Sequence, residues 1–190
     1  MELKEIRPSQ EQEYTEAEML RRMNIARKRL SGVASLSEAR KTAEQLVADG
    51  ILNTEGYEDG PHNEELYFVP DAEPGTFGSH NILSIERSPD FHTGKGWKTI
   101  SFTVTLFDEQ GREVSSVRRS SETNEIGRES HCQYFPDGSV QRSEISDWDR
   151  TEISEYDPDN PNKKIYHCYI DKKDGKERVV IDEREQDQND

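Results

Sequence analysis

Strict alternation of apolar and polar residues singles out one stretch of this chain, Trp97 to Phe107, WKTISFTVTLF. Ile100, Phe102, Val104 and Leu106 fall on one side of a period-two pattern, and Thr99, Ser101, Thr103 and Thr105 on the other. This is the pattern of a half-buried β-strand, and its β-branched and aromatic residues suit a pleated surface. On a helix the four apolar residues would scatter around the axis. The stretch is therefore expected at the centre of the core.

Two helices are predicted before it. Thr15-Glu-Ala-Glu18 reads as a capping box, and Met19, Met23, Ala26 and Leu30 follow as one narrow apolar stripe. Arg27, Lys28 and Arg29 lie in the last turn, where cations oppose the helix dipole, and Gly32 ends the segment. Ser35-Leu-Ser-Glu38 starts a second helix with Leu36, Ala39, Ala43, Leu46 and Val47 on its apolar side and Gly50 as its stop. These stripes are too narrow to fold alone, so the helical hairpin is expected to lie on the sheet.

From Asn81 onward, turn residues punctuate a run of short strands. Strands are predicted at 81–87, 97–107, 112–120, 128–135, 139–148, 151–156, 164–171 and 177–182, with a ninth possible at Leu66 to Val69. Asp108-Glu-Gln-Gly111, Pro136-Asp-Gly138, Asp157-Pro-Asp-Asn-Pro161 and Lys172-Lys-Asp-Gly175 supply the turns. Short turns make sequential neighbours antiparallel. The expected fold is α+β and mainly β, with the hairpin of helices packed on one curved antiparallel meander of eight or nine strands. A closed up-and-down barrel is the alternative. Phe107, Tyr134 and Tyr156 each precede an Asp- or Gly-bearing turn, a unit that resembles YD-type and MORN-like repeats at irregular spacing. Any series of hairpins carries the same punctuation, and no kinship is inferred.

Between Thr42 and Glu86 there is no Lys or Arg, and acidic residues alternate with Gly and Pro. The expected organisation is a helical hairpin at 1–50, an acidic, loop-rich connector at 51–78, a β-meander domain at 79–182 and a disordered acidic tail at 183–190.

Composition narrows the function. Leu, Ile, Val and Phe sit just below the ~20% level that, with high net charge, signals disorder, and the formal charge is −15. The patterned strand and the regular turns argue for a folded chain with a thin core. An acidic balance opposes binding to nucleic-acid backbone, which needs clustered Lys and Arg. The helical segment has a local basic excess that fits a winged helix, but only two of the three helices needed precede Gly50. No apolar leader follows Met1 and no run approaches 18 apolar residues, so neither secretion nor membrane insertion is expected. Two cysteines, Cys132 and Cys168, fit free thiols in a reducing, cytoplasmic setting.

Motifs for chemistry are sparse. His131-Cys132 and His167-Cys168 have neighbours on opposite strand faces, so neither pair can chelate one ion. If both segments are strands, His131 can share a face with His167 and Cys132 with Cys168, but the intervening strands of a meander keep them apart unless the sheet closes. That is two ligands per face, short of the four of structural zinc. His62, His80 and His92 fall in predicted loops without a recognisable nucleophile, and Gly94-Lys-Gly96 lacks the spacing of a phosphate loop. No catalytic residue, metal or cofactor is expected. The later strands, such as SSVRRSS and GSVQRSEIS, have few apolar positions on either face and suit a surface that receives a partner. Tyr134, Trp148, Tyr156, Tyr166 and Tyr169, placed at strand ends and expected to be exposed, are the candidate partner contacts. The expectation is a non-enzymatic interaction or adaptor protein whose protein partner docks on the sheet. The alternatives are an acidic mimic of nucleic acid that blocks a basic partner, or a small-ligand barrel or enzyme of a new family.

Overall fold

Both helices start where a hydroxyl can take over an orphan backbone N–H. In the computed structural model, which describes residues 15–59, 62–70, 80–89 and 96–183, α1 spans Glu16–Leu30 and α2 spans Leu36–Ala48. Thr15 Oγ1 accepts from the Glu18 N–H and Ser35 Oγ from the Glu38 N–H, each at 3.3 Å. Glu18 does not complete the capping box; it holds Arg21 and Arg22 instead, at 2.7 and 2.9 Å. α2 ends in a Schellman motif. Gly50 takes φ +70°, its N–H bonds to the Val47 carbonyl at 2.9 Å, and the Ile51 N–H reaches back to Leu46 at 2.8 Å. Leu46 and Ile51, which flank this closure, are both buried.

Ten strands among the described residues form one antiparallel sheet in sequence order. They are β1 (Asn53–Asp59), β2 (His62–Val69), β3 (His80–Pro89), β4 (Trp97–Phe107), β5 (Glu113–Ser120), β6 (Ile126–Tyr134), β7 (Val140–Asp147), β8 (Arg150–Tyr156), β9 (Lys164–Asp171) and β10 (Glu177–Asp182). The meander of the sequence reading is present, with one strand more than the upper count. The extra strand is β1, which pairs along its whole length with β2 inside the stretch read as a loop-rich connector. Its sequence, NTEGYED, has no apolar alternation to announce it. Residues 1–14 of the segment read as the helical hairpin, most of the stretch between the strands predicted at 81–87 and 97–107, and the acidic tail beyond 183 lie outside the described residues.

The sheet does not close into a barrel, because β1 and β10 remain as its two edges. The physical reason is visible in β5, β6 and β7, where no residue is buried. A barrel needs an inward set of side chains on every strand, and these strands have none to give.

The core lies where the alternation predicted it, but it is one-sided. Phe102 is fully buried and pairs with Ile85, and Val104 pairs with Leu83. Met23, Ala26 and Leu30 of α1 and Ala39, Ala43 and Leu46 of α2 close the same cluster, together with Tyr67, Val69 and Phe107. A bulge opposite Tyr67 and Phe68 leaves Ile82 as an extra residue in β3, and both Ile82 and Leu83 are buried. Ile100, which the alternation put on the same apolar face, is the extra residue of a bulge between Thr99 and Ser101 and remains 38% exposed, as Trp97 does at 42%. The helices therefore cover one end of that face and not its whole length.

α1 also comes close to the β4–β5 turn. Gly111 there adopts φ +78°, and a Cβ on it would approach Leu20 of α1 to 3.2 Å. Only glycine combines that conformation with that approach. Asp108 braces the turn by accepting from the Gln110 and Arg112 N–H groups at 2.9 Å and from Arg112 Nε at 2.8 Å. Burial opposes ionisation of Asp108, but these donors outweigh it and hold the carboxyl below the usual range.

Candidate functional site

Beyond β4 the sheet is held by pairs across its strands and not by a core. Arg118 Nε donates to Ser101 Oγ at 3.1 Å, and both groups bond Glu86. Arg142 bonds Glu155 at 2.7 Å, and Ser146 and Thr151 approach to 3.0 Å. Such cross-strand pairs each contribute roughly 0.2–1 kcal/mol, so many together can hold a sheet that buries little. The long Arg and Glu side chains also lay their aliphatic stems over the strands.

A second, smaller buried group forms at β8 and β9. Cys168 is fully buried, Tyr166 is 6% exposed and its hydroxyl donates to Glu177. Tyr166 was expected as an exposed contact; its register position opposite Glu155 puts it in this group instead. On the other face Ser154 Oγ and His167 Nδ1 lie 2.9 Å apart, both buried, with the Glu152 carboxylate 3.8 Å from the same nitrogen. Serine, histidine and glutamate thus meet, a constellation that the sequence did not disclose because it joins two polar strands. In a catalytic triad the carboxylate orients the imidazole through the nitrogen that the serine does not use. Here both approach Nδ1, which is the geometry of a buried polar pair.

Register also corrects the pairing of the two His-Cys dipeptides. His131 faces Glu144, then Ile153, then Cys168 across successive strands. Cys132 runs through Ser143 and Ser154 to His167 on the opposite face. Each histidine therefore shares a row with a cysteine, not with the other histidine, and two strands separate them. At about 4.8 Å per strand that distance exceeds any shared coordination. No group of three potential metal ligands occurs among the described residues. Burial, reinforced by Glu113, pushes the Cys132 thiol up, away from a reactive thiolate.

Of the five candidate contacts, the structure brings two to one place. Trp148, at the tip of the β7–β8 hairpin, is 85% exposed. The residue after it, Asp149, begins the wall of a depression of about 300 Å³ that Arg150, Tyr169, Asp171, Lys173 and Arg178 complete. The Arg150 guanidinium lies 5.0 Å from the centre of the Tyr169 ring, and His167 meets that ring edge-on at 4.8 Å. The β7–β8 and β9–β10 turns are tied together by the Lys172 N–H, which donates to the Asp149 carbonyl at 2.9 Å. Tyr134 and Tyr156 lie at the opposite ends of their strands, beside the turns after β6 and β8. Tyr134 is half-buried, donates to the Glu113 carbonyl at 2.6 Å and has Arg112 over its ring at 4.5 Å. Burial first, then its acidic neighbours, push its hydroxyl up to about 12. Tyr156 is half-buried as well. Trp148 alone of the five is fully exposed; Tyr169 is half-buried like Tyr134 and Tyr156, but its ring lines the depression that begins at the residue after Trp148.

No protein-family model matches the chain, and no curated protein sequence matches it. Among solved structures the chain aligns with TarM at 11% identity and a TM-score of 0.27, over 85% of this chain and 27% of that one. A glycine-to-arginine mutant of S. aureus TarM in complex with Fondaparinux, alpha-GlcNAc-glycerol and UDP aligns at 11% identity and a TM-score of 0.22, over 84% and 26%. The chain spans about a quarter of the length of those structures, and likenesses of that degree say nothing of what it does.

Proposed function

We propose that this chain is a non-catalytic interaction module that binds a protein partner through the far part of its sheet, around Trp148 and Tyr169. The observation that carries the reading is the placement of Trp148: the largest side-chain type stands 85% exposed at a hairpin tip, beside a walled depression. Tryptophan is the residue most enriched among interface hot spots, and leaving it in water has no folding benefit. The helices are engaged on the other end of the sheet and offer no comparable aromatic. The acidic-mimic reading finds less support, because acids on the sheet are interspersed with bases, and Glu86, Asp147 and Glu155 are ion-paired with arginines. A cytoplasmic setting belongs to the same proposal. Cys132 and Cys168 are both free and occupy opposite faces of the sheet, so no disulfide can join them. No helix among the described residues is long and apolar enough to cross a membrane.

The test is Trp148→Ala against a partner recovered by cross-linking and then purified. The variant is expected to melt within ~0.5 kcal/mol of the parent, since the side chain packs on little, while affinity falls about 30-fold or more. Unchanged affinity in Trp148→Ala, with loss of binding in Lys41→Glu on the exposed side of α2, would assign the interface to the helices.

A further inference from the structure

Most of the described arginines in this acidic chain are neutralised. Among the described residues all but Arg119, Arg150 and Arg178 are ion-paired with a carboxylate. Arg119 donates to the Asn124 carbonyl at 3.0 Å. The remaining two arginines make no hydrogen bond or ion pair among the described residues, and both line the same depression. Register explains how they meet there. Arg150 on β8 lies opposite Asp171, and Arg178 on β10 lies opposite Tyr169, so the two guanidinium groups flank β9 on one face. Lys173 adds a third cation from the adjoining turn.

In a chain with 40 acidic residues against 25 basic, leaving two neighbouring guanidinium groups without an ion pair leaves their forked donors available to a carboxylate from outside. We propose that the depression binds an acidic segment of a partner protein, with an Asp or Glu carboxylate held between Arg150 and Arg178. This rests on the reading of the far sheet as the partner surface and names the chemistry of the partner. Planar guanidinium forks match carboxylates in a bidentate manner, and Tyr169 holds one of them over its ring. Two carboxylates, Asp149 and Asp171, also stand in the wall, and Asp171 accepts from the Lys173 N–H at 2.8 Å. Their charge disfavours a dianion such as phosphate and leaves room for a singly charged carboxylate. Trp148 at the rim supplies apolar contact for the rest of a peptide. The chain's overall negative charge repels an acidic partner at long range, but at physiological salt that field is screened beyond about 8 Å, and the local cations decide.

The experiment is fluorescence anisotropy of a labelled Asp-Glu hexapeptide with the full chain, beside its Asn-Gln counterpart. Arg150→Gln and Arg178→Gln are each expected to weaken binding about tenfold while the melting temperature holds, because both side chains are exposed. Arg128→Gln removes the same charge from a 60% exposed arginine on the same face and is expected to change affinity less than about twofold. Equal loss in Arg128→Gln would reduce the effect to net charge and overturn the proposal. So would equal binding of the Asn-Gln peptide, displacement by inorganic phosphate at millimolar concentration, or no binding of the acidic peptide. If Trp148→Ala loses a purified partner that Arg150→Gln and Arg178→Gln still hold, the sheet surface stands and the acidic ligand falls.

Discussion

Phe102→Asp is expected to yield no cooperatively melting protein. Phe102 has no exposed surface, pairs with Ile85 and lies in the one cluster that joins both helices to the sheet. Removing a buried phenylalanine costs about 3–5 kcal/mol, and an unpaired carboxylate in its place adds several more. Domains are stable by only about 5–15 kcal/mol, and this one has a thin core from which to draw that margin. Ile100→Asp is the informative comparison. It alters the same strand two residues earlier, but at a bulge and at a site 38% exposed, and is expected to cost less than about 1 kcal/mol. Far-ultraviolet circular dichroism on heating separates the two outcomes. A cooperative transition in Phe102→Asp would remove β4 from the centre of the core.

The second large effect is expected from Glu65→Ala. Glu65 gathers Arg40 of α2 at 3.0 Å, Arg87 of β3 at 2.5 Å and the Tyr67 hydroxyl at 2.5 Å. It is the polar clasp between the second helix and the start of the sheet. Its side chain is 23% exposed and those of Arg40 and Arg87 about a third, so the penalty for a fully buried broken pair must be discounted for solvent. About 1–3 kcal/mol remains, because two cations and a phenol lose their acceptor in one change. Burial first, and then the bond to Glu65, push the Tyr67 hydroxyl well above the usual range, so the phenol stays protonated and remains the donor. Urea titration is expected to show a lower midpoint with an unchanged slope, and Glu65→Gln is expected to fall between the two. A midpoint equal to the parent's would leave the clasp without energetic weight.

How much of this was legible follows from what each segment has to bury. β4 announced itself because Phe102, Val104 and Leu106 alternate with Thr103 and Thr105 over a core that exists. The meander from β5 to β10 was legible through its turns, Asp108 to Gly111, Pro136 to Gly138 and Asp174-Gly175, and not through its strands. β1 was invisible because an edge strand with Gly56 and three acids has no face to hide. In β2, Glu65 lies in the stretch read as an acidic connector, and only the structure shows Arg40 and Arg87 arriving to neutralise it. Among the candidate contacts, Trp148 was legible as an exposed aromatic at a strand end, whereas the burial of Tyr166 depends on which neighbours β8 and β10 place beside it. Arg150 and Arg178 carried no signal at all. What distinguishes them is that neither forms an ion pair although Asp149 and Asp171 stand in the same wall, and that is a property of side-chain placement in the fold.

The central claim is that the helices stabilise one end of the sheet and leave the rest as an uncovered platform. Native-state hydrogen exchange, resolved by residue, tests it directly. Amides of β3 and β4 are expected to exchange only through near-global unfolding, and those of β6 and β7, which bury no side chain, through local opening at least ~100-fold faster. Protection in β6 and β7 equal to that in β4 would mean that something covers those strands, and would contradict the account.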